Sequence, residues 1–169
     1  MHSTGDDRLG TFTDRAEITD LVNRYVITLD THDELGCDDE WYRTIFTEDV
    51  KLEFPIGGYD GVPGLAGFQT AARAKWDRTH HVGTNCVVNL DGDHATVRAQ
   101  VLGTHVHLRD QGTEPLPHFT VGGYYDAEAV RTTGGWRFRR LALHVVWTTG
   151  PGLAPQPSTV DLVPERITS

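Results

Sequence analysis

At 169 residues, 38% hydrophobic and 23% charged, the chain has the size and balance of one globular domain able to bury a core. A formal net charge of −9 gives no basic footprint for nucleic acid or an anionic membrane surface, and leaves a small neutral ligand open. The N-terminus MHSTGDDRLG lacks an apolar signal core, no stretch is apolar enough to span a membrane, and Cys37 and Cys86 lack CxxC spacing, so a cytoplasmic chain with reduced thiols is expected.

In chain order, residues 1–12 read as a flexible leader. Ile18, Leu21, Val22, Tyr25, Val26 and Leu29 then recur at helical spacing and predict an amphipathic helix, with Asp14 and Glu17 as a cap-like start. The polar break THDELGCDDE leads to a short second helix around WYRTIFTEDV. A strand, VKLEF, ends at Pro55; the loop IGGYDGVPG and a third helix ending near Trp76 follow.

From there the pattern is that of strands. NCVVNL and HATVRAQVLGTHVHL flank Asp91-Gly92-Asp93, and FTVGGYYDAEAVRT and WRFRRLALHVVWTT flank Gly134-Gly135, two hairpin signals. Helices first and long antiparallel strands afterwards predict an α+β domain over residues 13–149. Residues 150–169 carry four prolines without periodicity and are expected as an extension.

Alternation along the strands selects candidate site residues. Ala95, Val97, Ala99 and Val101 share one face, and His105 and His107 continue it, with Gly103 between them leaving room. Two histidines on an inward face imply a cavity. Phe119, Val121, Tyr125 and Ala127 share a parity that turns Tyr125 inward and Asp126 outward. Asp30 lies near the end of the first helix, where the dipole disfavours a carboxylate, so a neighbouring imidazole is a natural partner.

Three chemistries fit these residues. One is proton transfer by histidine, and a second is a metal at His105-x-His107. The third is ligand binding in an apolar pocket that needs no linked Asp–His–His set. The HxH pair lacks the glutamate that cupins place soon after it, because Leu108-Arg109-Asp110-Gln111 intervenes. No GxSxG, GxGxxG or GxxxxGK[ST] occurs, so neither a serine nucleophile nor a nucleotide cofactor is expected.

The helix ending in Leu29-Asp30, the stretch FTEDV, Thr79-His80-His81 before a strand, and GGYYDAEAVRTTGGWRFRR together resemble the SnoaL-like proteins of the nuclear transport factor 2-like superfamily. That resemblance, over roughly residues 12–149, implies a cone: a curved antiparallel sheet wrapped by helices around an apolar pocket, a fold that hosts many activities. The site pattern is most similar to that of scytalone dehydratases. Carried over residue by residue, it implies Asp30 orienting His105, His81 and His105 as a cofactor-free, metal-free proton-transfer pair, and Tyr125 as an oxygen-polarising donor. His80 is the alternate to His81.

Phe54, Trp76, Val101 and Trp147 are expected as apolar walls for a hydrophobic carbonyl compound. The expected reaction is dehydration, isomerisation or cyclisation, in a homodimer formed through the sheet. Leu29 and Phe54 stand where the dehydratases carry two tyrosines, so scytalone itself is not the expected substrate. The polyketide cyclases of the family use a late-strand aspartate, and here Asp126 is turned outward.

Overall fold

A single buried stripe organises the N-terminal half of the protein, whose computed structural model describes residues 3–55, 57–109 and 114–153. The first helix, α1, spans Ser3–Leu35, so residues 3–12, expected as a leader, continue the helix instead. Ile18, Leu21, Val22, Tyr25 and Val26 are buried against the sheet, whereas Leu9 and Phe12 remain exposed on the N-terminal turns.

Asp14 therefore lies inside α1 rather than capping it. Its carboxylate accepts from Arg131 Nη2 at 2.6 Å and from Trp136 Nε1 at 3.0 Å, and pins the helix to a distant hairpin. The Arg131 guanidinium holds the Asp14 carboxyl below its usual value against the opposing effect of burial, and the Trp136 bond adds to the lowering. Asp14→Ala should cost about 1–2 kcal/mol, because it removes charge-assisted bonds and orphans a buried indole N–H. A carboxyl lowered in the folded state contributes above its unfolded pKa and loses that contribution as pH falls through the folded value. Urea unfolding should thus show the gap between wild type and Asp14→Ala closing in acid; a gap that widens in acid contradicts the assignment.

The short helix α2, Asp39–Arg43, is capped by Asp38, which accepts from the Trp41 N–H at 2.8 Å. FTEDV, expected at the end of this helix, is instead the start of β1, Phe46–Phe54. The cause is tertiary: Phe46, Val50 and Leu52 are buried, and β1 pairs in parallel with β6, with a register shift between Phe46 and Lys51. Part of the expected loop forms β2, Gly57–Asp60, antiparallel to β1.

After α3, Leu65–Arg73, the chain enters β3, Trp76–Asp91, directly. This strand takes in RTHHVGTN, whose polar residues on both faces hide it from a hydrophobic pattern. Next come β4, His94–His107, β5, Phe119–Thr132, and β6, Gly135–Thr149. Asp91 pairs with His94 across a two-residue turn whose Gly92 adopts φ 58°, as the hairpin signal predicts.

The six strands form one sheet in the order β2-β1-β6-β5-β4-β3. Helices cover its inner face, and the core of Tyr25, Tyr42, Phe46, Trp136 and Phe138 lies between the layers. The predicted α+β architecture is the one observed. The Pro-rich extension falls outside the described residues from position 154 onward. No helix among the described residues is long and apolar enough to cross a membrane.

A carboxylate-backed imidazole pair as the candidate active site

Strand register brings the two inner histidines together. β3 and β4 pair Thr79 with His105 and His81 with Gly103, and paired residues share a face. Gly103 is the gap between them: a Cβ there would sit 2.8 Å from His81 Cδ2, 2.9 Å from His81 Nε2 and 3.3 Å from His105 Cε1. His81 lies across this gap, edge-on to His105, with ring centroids 5.2 Å apart and planes at 89°.

Asp30 reaches this pair from the C-terminal part of α1. One carboxylate oxygen, Oδ1, lies 2.7 Å from His81 Nδ1, and the other, Oδ2, accepts the His81 backbone N–H at 2.6 Å. The Thr79 hydroxyl is 2.8 Å from Oδ1, where it donates, and 3.3 Å from the Leu29 carbonyl. A carboxylate only accepts, so in its neutral form His81 carries its proton on Nδ1 and presents Nε2 as the lone pair. Burial alone would raise the Asp30 carboxyl, but the His81 ring and backbone bonds, helped by Thr79, hold it below its ordinary value. Only 13% of the His81 side chain and 16% of that of Asp30 are exposed, so water screens this pair little.

The partner of Asp30 is thus His81, which corrects the Asp30–His105 pairing that the resemblance implied. α1 packs over β3, and a carboxylate on its underside meets a β3 side chain before one on β4. His105 turns elsewhere, its Nδ1 lying 3.3 Å from the Phe119 carbonyl. Burial, then the nearby His81, lowers its pKa to about 4, outweighing the Phe119 carbonyl and Asp30.

The other expected residues divide by face. Tyr125 is buried on the inner face, edge-on to Tyr25 at 6.0 Å. Burial, then the Tyr25 and Asp30 charges, pushes its hydroxyl well above the ordinary value, so it stays an O–H donor. Val101 is buried on the same face, and Phe54 is partly buried on β1, three strands from β4. Trp76 packs against His105 at 4.8 Å and His107 at 5.0 Å, and stacks parallel to Phe119 at 5.8 Å.

Two expected residues point away from the pair. His80 is exposed on the opposite face of β3, as alternation from His81 requires. Trp147 would share the inner parity of Leu141 and Leu143 in a regular strand. A register shift pairs Gly123 with Val145 but Gly122 with Trp147, and the indole lies over Gly122 on the outer face instead. Neither residue lines the His81–His105 face.

Thr79 and Phe119 escaped the site reading of the sequence. Thr79 could have been found from strand parity, two residues before His81; the role of Phe119 is a backbone carbonyl, which no side-chain pattern reveals. His105 and His107 do not converge. His107 Nε2 lies 2.9 Å from the Pro151 carbonyl, and no group of three or more His, Cys, Asp or Glu among the described residues is placed to hold a metal. An open groove of about 430 Å³ on α1, lined by Phe12, Arg15, Ala16, Thr19, Asp20 and Asn23, is away from Asp30 and holds no buried acid–base pair.

Residues 10–142 match the family model described as a SnoaL-like domain. The chain is 30% identical over 141 residues to terrestric acid biosynthesis cluster protein E of Penicillium crustosum, covering 81% of this chain and 86% of that protein. A protein of Kribbella flavida has a similar structure, with TM-score 0.73, 28% identity, and coverage of 82% of this chain and 95% of its own. A candidate scytalone dehydratase of Novosphingobium aromaticivorans shares the fold, with TM-score 0.68, 23% identity, and coverage of 89% and 93% of the two chains. The chain belongs to the SnoaL-like family and has the nuclear transport factor 2-like fold.

Proposed function

We propose that this protein is a cofactor-independent enzyme of the dehydratase, isomerase or cyclase type, acting by histidine-mediated proton transfer on a hydrophobic, carbonyl-bearing small molecule. The observation that carries the proposal is the 2.7 Å contact between Asp30 and His81 Nδ1, which leaves Nε2 beside a second, half-buried imidazole. His81 Nε2 takes a proton from the carbon next to the carbonyl, and the C–H electron pair moves onto the carbonyl oxygen. Asp30 stabilises the imidazolium that forms, and acts as a positioning residue. For dehydration, the enolate re-forms the carbonyl and expels a β-hydroxyl, which leaves as water with the proton returned from His81. For isomerisation, the proton returns to another carbon.

Tyr125 is a buried neutral donor, suited to polarise the carbonyl oxygen. Trp76, Phe119 and Val101 give the inner face an aromatic and aliphatic character that fits a polyketide- or terpenoid-like skeleton. The relative named for a biosynthesis cluster supports a place in secondary metabolism. Val82, Leu102 and Trp147 are exposed on the outer face of the sheet, and we read them as the surface through which two copies would pair in the cytoplasm.

The test is a screen of aromatic β-hydroxy ketones for formation of the conjugated enone, read by ultraviolet absorbance. The wild type should turn over at least one. His81→Ala should lose about 100- to 10,000-fold in kcat/KM while remaining folded, the range expected for removing a general base. His105→Ala should also fold normally yet lose most of the turnover. Full activity in His81→Ala would overturn the assignment.

A further inference from the structure

Which atoms His105 offers a ligand follows from its backbone partner. A carbonyl oxygen can only accept, so the 3.3 Å approach of His105 Nδ1 to the Phe119 carbonyl requires the proton on Nδ1. The reverse tautomer would set two lone pairs against each other in a partly buried site. His105 Nε2 is then a lone pair, as His81 Nε2 is by virtue of Asp30. The two imidazoles meet edge-to-face over Gly103, so the inner face presents two acceptor nitrogens. A neutral imidazole protonated on Nδ1 has no proton on Nε2 with which to protonate a leaving group.

We infer that His105 Nε2 accepts a hydrogen bond from a hydroxyl of the ligand, so that the ligands of this site are aromatic compounds bearing a free hydroxyl. This rests on the reading of the His81–His105 face as the substrate site, and assigns His105 to substrate recognition. The rest of its surroundings fits such a ligand. Trp76 lies 4.8 Å and Phe119 5.8 Å from the His105 ring centroid, and the two are parallel within 5°, an aromatic surface beside the acceptor. Burial keeps His105 neutral at pH 7, with a pKa of about 4, so its acceptor is available throughout the neutral range. A hydroxyl donor meets an otherwise unpaired nitrogen, whereas a methyl ether leaves it dry and unbonded. Sites built around a polar partner discriminate strongly against analogues that lack it.

The experiment uses the full chain with imidazole ¹⁵N-labelled histidine, and two probes, 4-ethylphenol and 4-ethylanisole. At pH 7, long-range proton–nitrogen spectra should show His105 neutral with its proton on Nδ1. Addition of 4-ethylphenol should shift Nε2 in the direction of hydrogen-bond acceptance, and 4-ethylanisole should not. Titration should give the phenol about five- to tenfold tighter binding than the ether, the ratio one net hydrogen bond supplies. His105→Phe should abolish the preference while still binding the ether.

A proton on His105 Nε2 would overturn the inference. So would equal affinities, absent phenol binding, or a preference that survives in His105→Phe. Because tautomer and binding are read without turnover, a protein that prefers the phenol through His105 but eliminates nothing from any β-hydroxy ketone would retain this inference and lose the enzymatic one. An active protein indifferent to the hydroxyl would do the opposite.

Discussion

Replacing Asp30 with asparagine should leave the fold in place and lower kcat/KM by about 1,000-fold or more, the scale seen when a general base loses its tautomer partner. Asp30 accepts three hydrogen bonds: from the His81 ring, from the His81 backbone N–H and from Thr79. An asparagine has one oxygen and an NH₂ group. If the oxygen keeps the backbone N–H, the amide nitrogen faces His81 Nδ1, and the imidazole must carry its proton on Nε2, where the base should be. The imidazolium also loses its counter-charge. ¹⁵N spectra of the variant should show the proton of His81 moved to Nε2. A variant with wild-type turnover and an unchanged tautomer would mean that Asp30 serves only the backbone.

Gly103→Ala should lower turnover by about 100-fold, with about 1–3 kcal/mol of destabilisation, the usual cost of overpacking. The added methyl would overlap the His81 ring and crowd the His105 ring. His81 is held by Asp30 at 2.7 Å, and His105 rests against the Phe119 carbonyl at 3.3 Å. Gly103 does not adopt a positive φ, so the backbone tolerates alanine and the effect is steric. Chemical denaturation and steady-state kinetics on one preparation separate the two losses. A variant with unchanged turnover would show that the edge-to-face approach of the rings is dispensable.

Much of this geometry was legible in the sequence, because alternation along a strand is a strong constraint. Parity on β4 turned His105 inward beside Val101, and parity on β5 turned Tyr125 inward and Asp126 outward, where Asp126 pairs with Arg98 at 2.7 Å. The stripe Ile18 to Val26 marked the core face of α1. What was not legible depends on contacts between distant segments. Nothing local says that the first β3 residues pair with the end of β4, so Thr79-His80-His81 read as lying just before a strand, when β3 already includes Thr79 and His81.

The partner of Asp30 is decided by which strand α1 crosses, and the facing of Trp147 by a register shift between β5 and β6. The early start of α1 was missed because its apolar side chains Leu9 and Phe12 are exposed and set no buried helical stripe. FTEDV was misplaced because its parallel partner β6 lies some ninety residues away, and local propensity cannot anticipate it.

The central claim is that His81, backed by Asp30, abstracts a proton next to a carbonyl, and the most direct measurement does not require the natural substrate. 6-Hydroxy-2-tetralone is a neutral aromatic ketone with a free hydroxyl and acidic α-hydrogens, and their exchange in D₂O can be followed by proton NMR. The protein should accelerate that exchange above the buffer rate, and the acceleration should disappear in His81→Ala and fall sharply in Asp30→Asn. Exchange no faster than in buffer, or acceleration that persists in His81→Ala, would contradict the account.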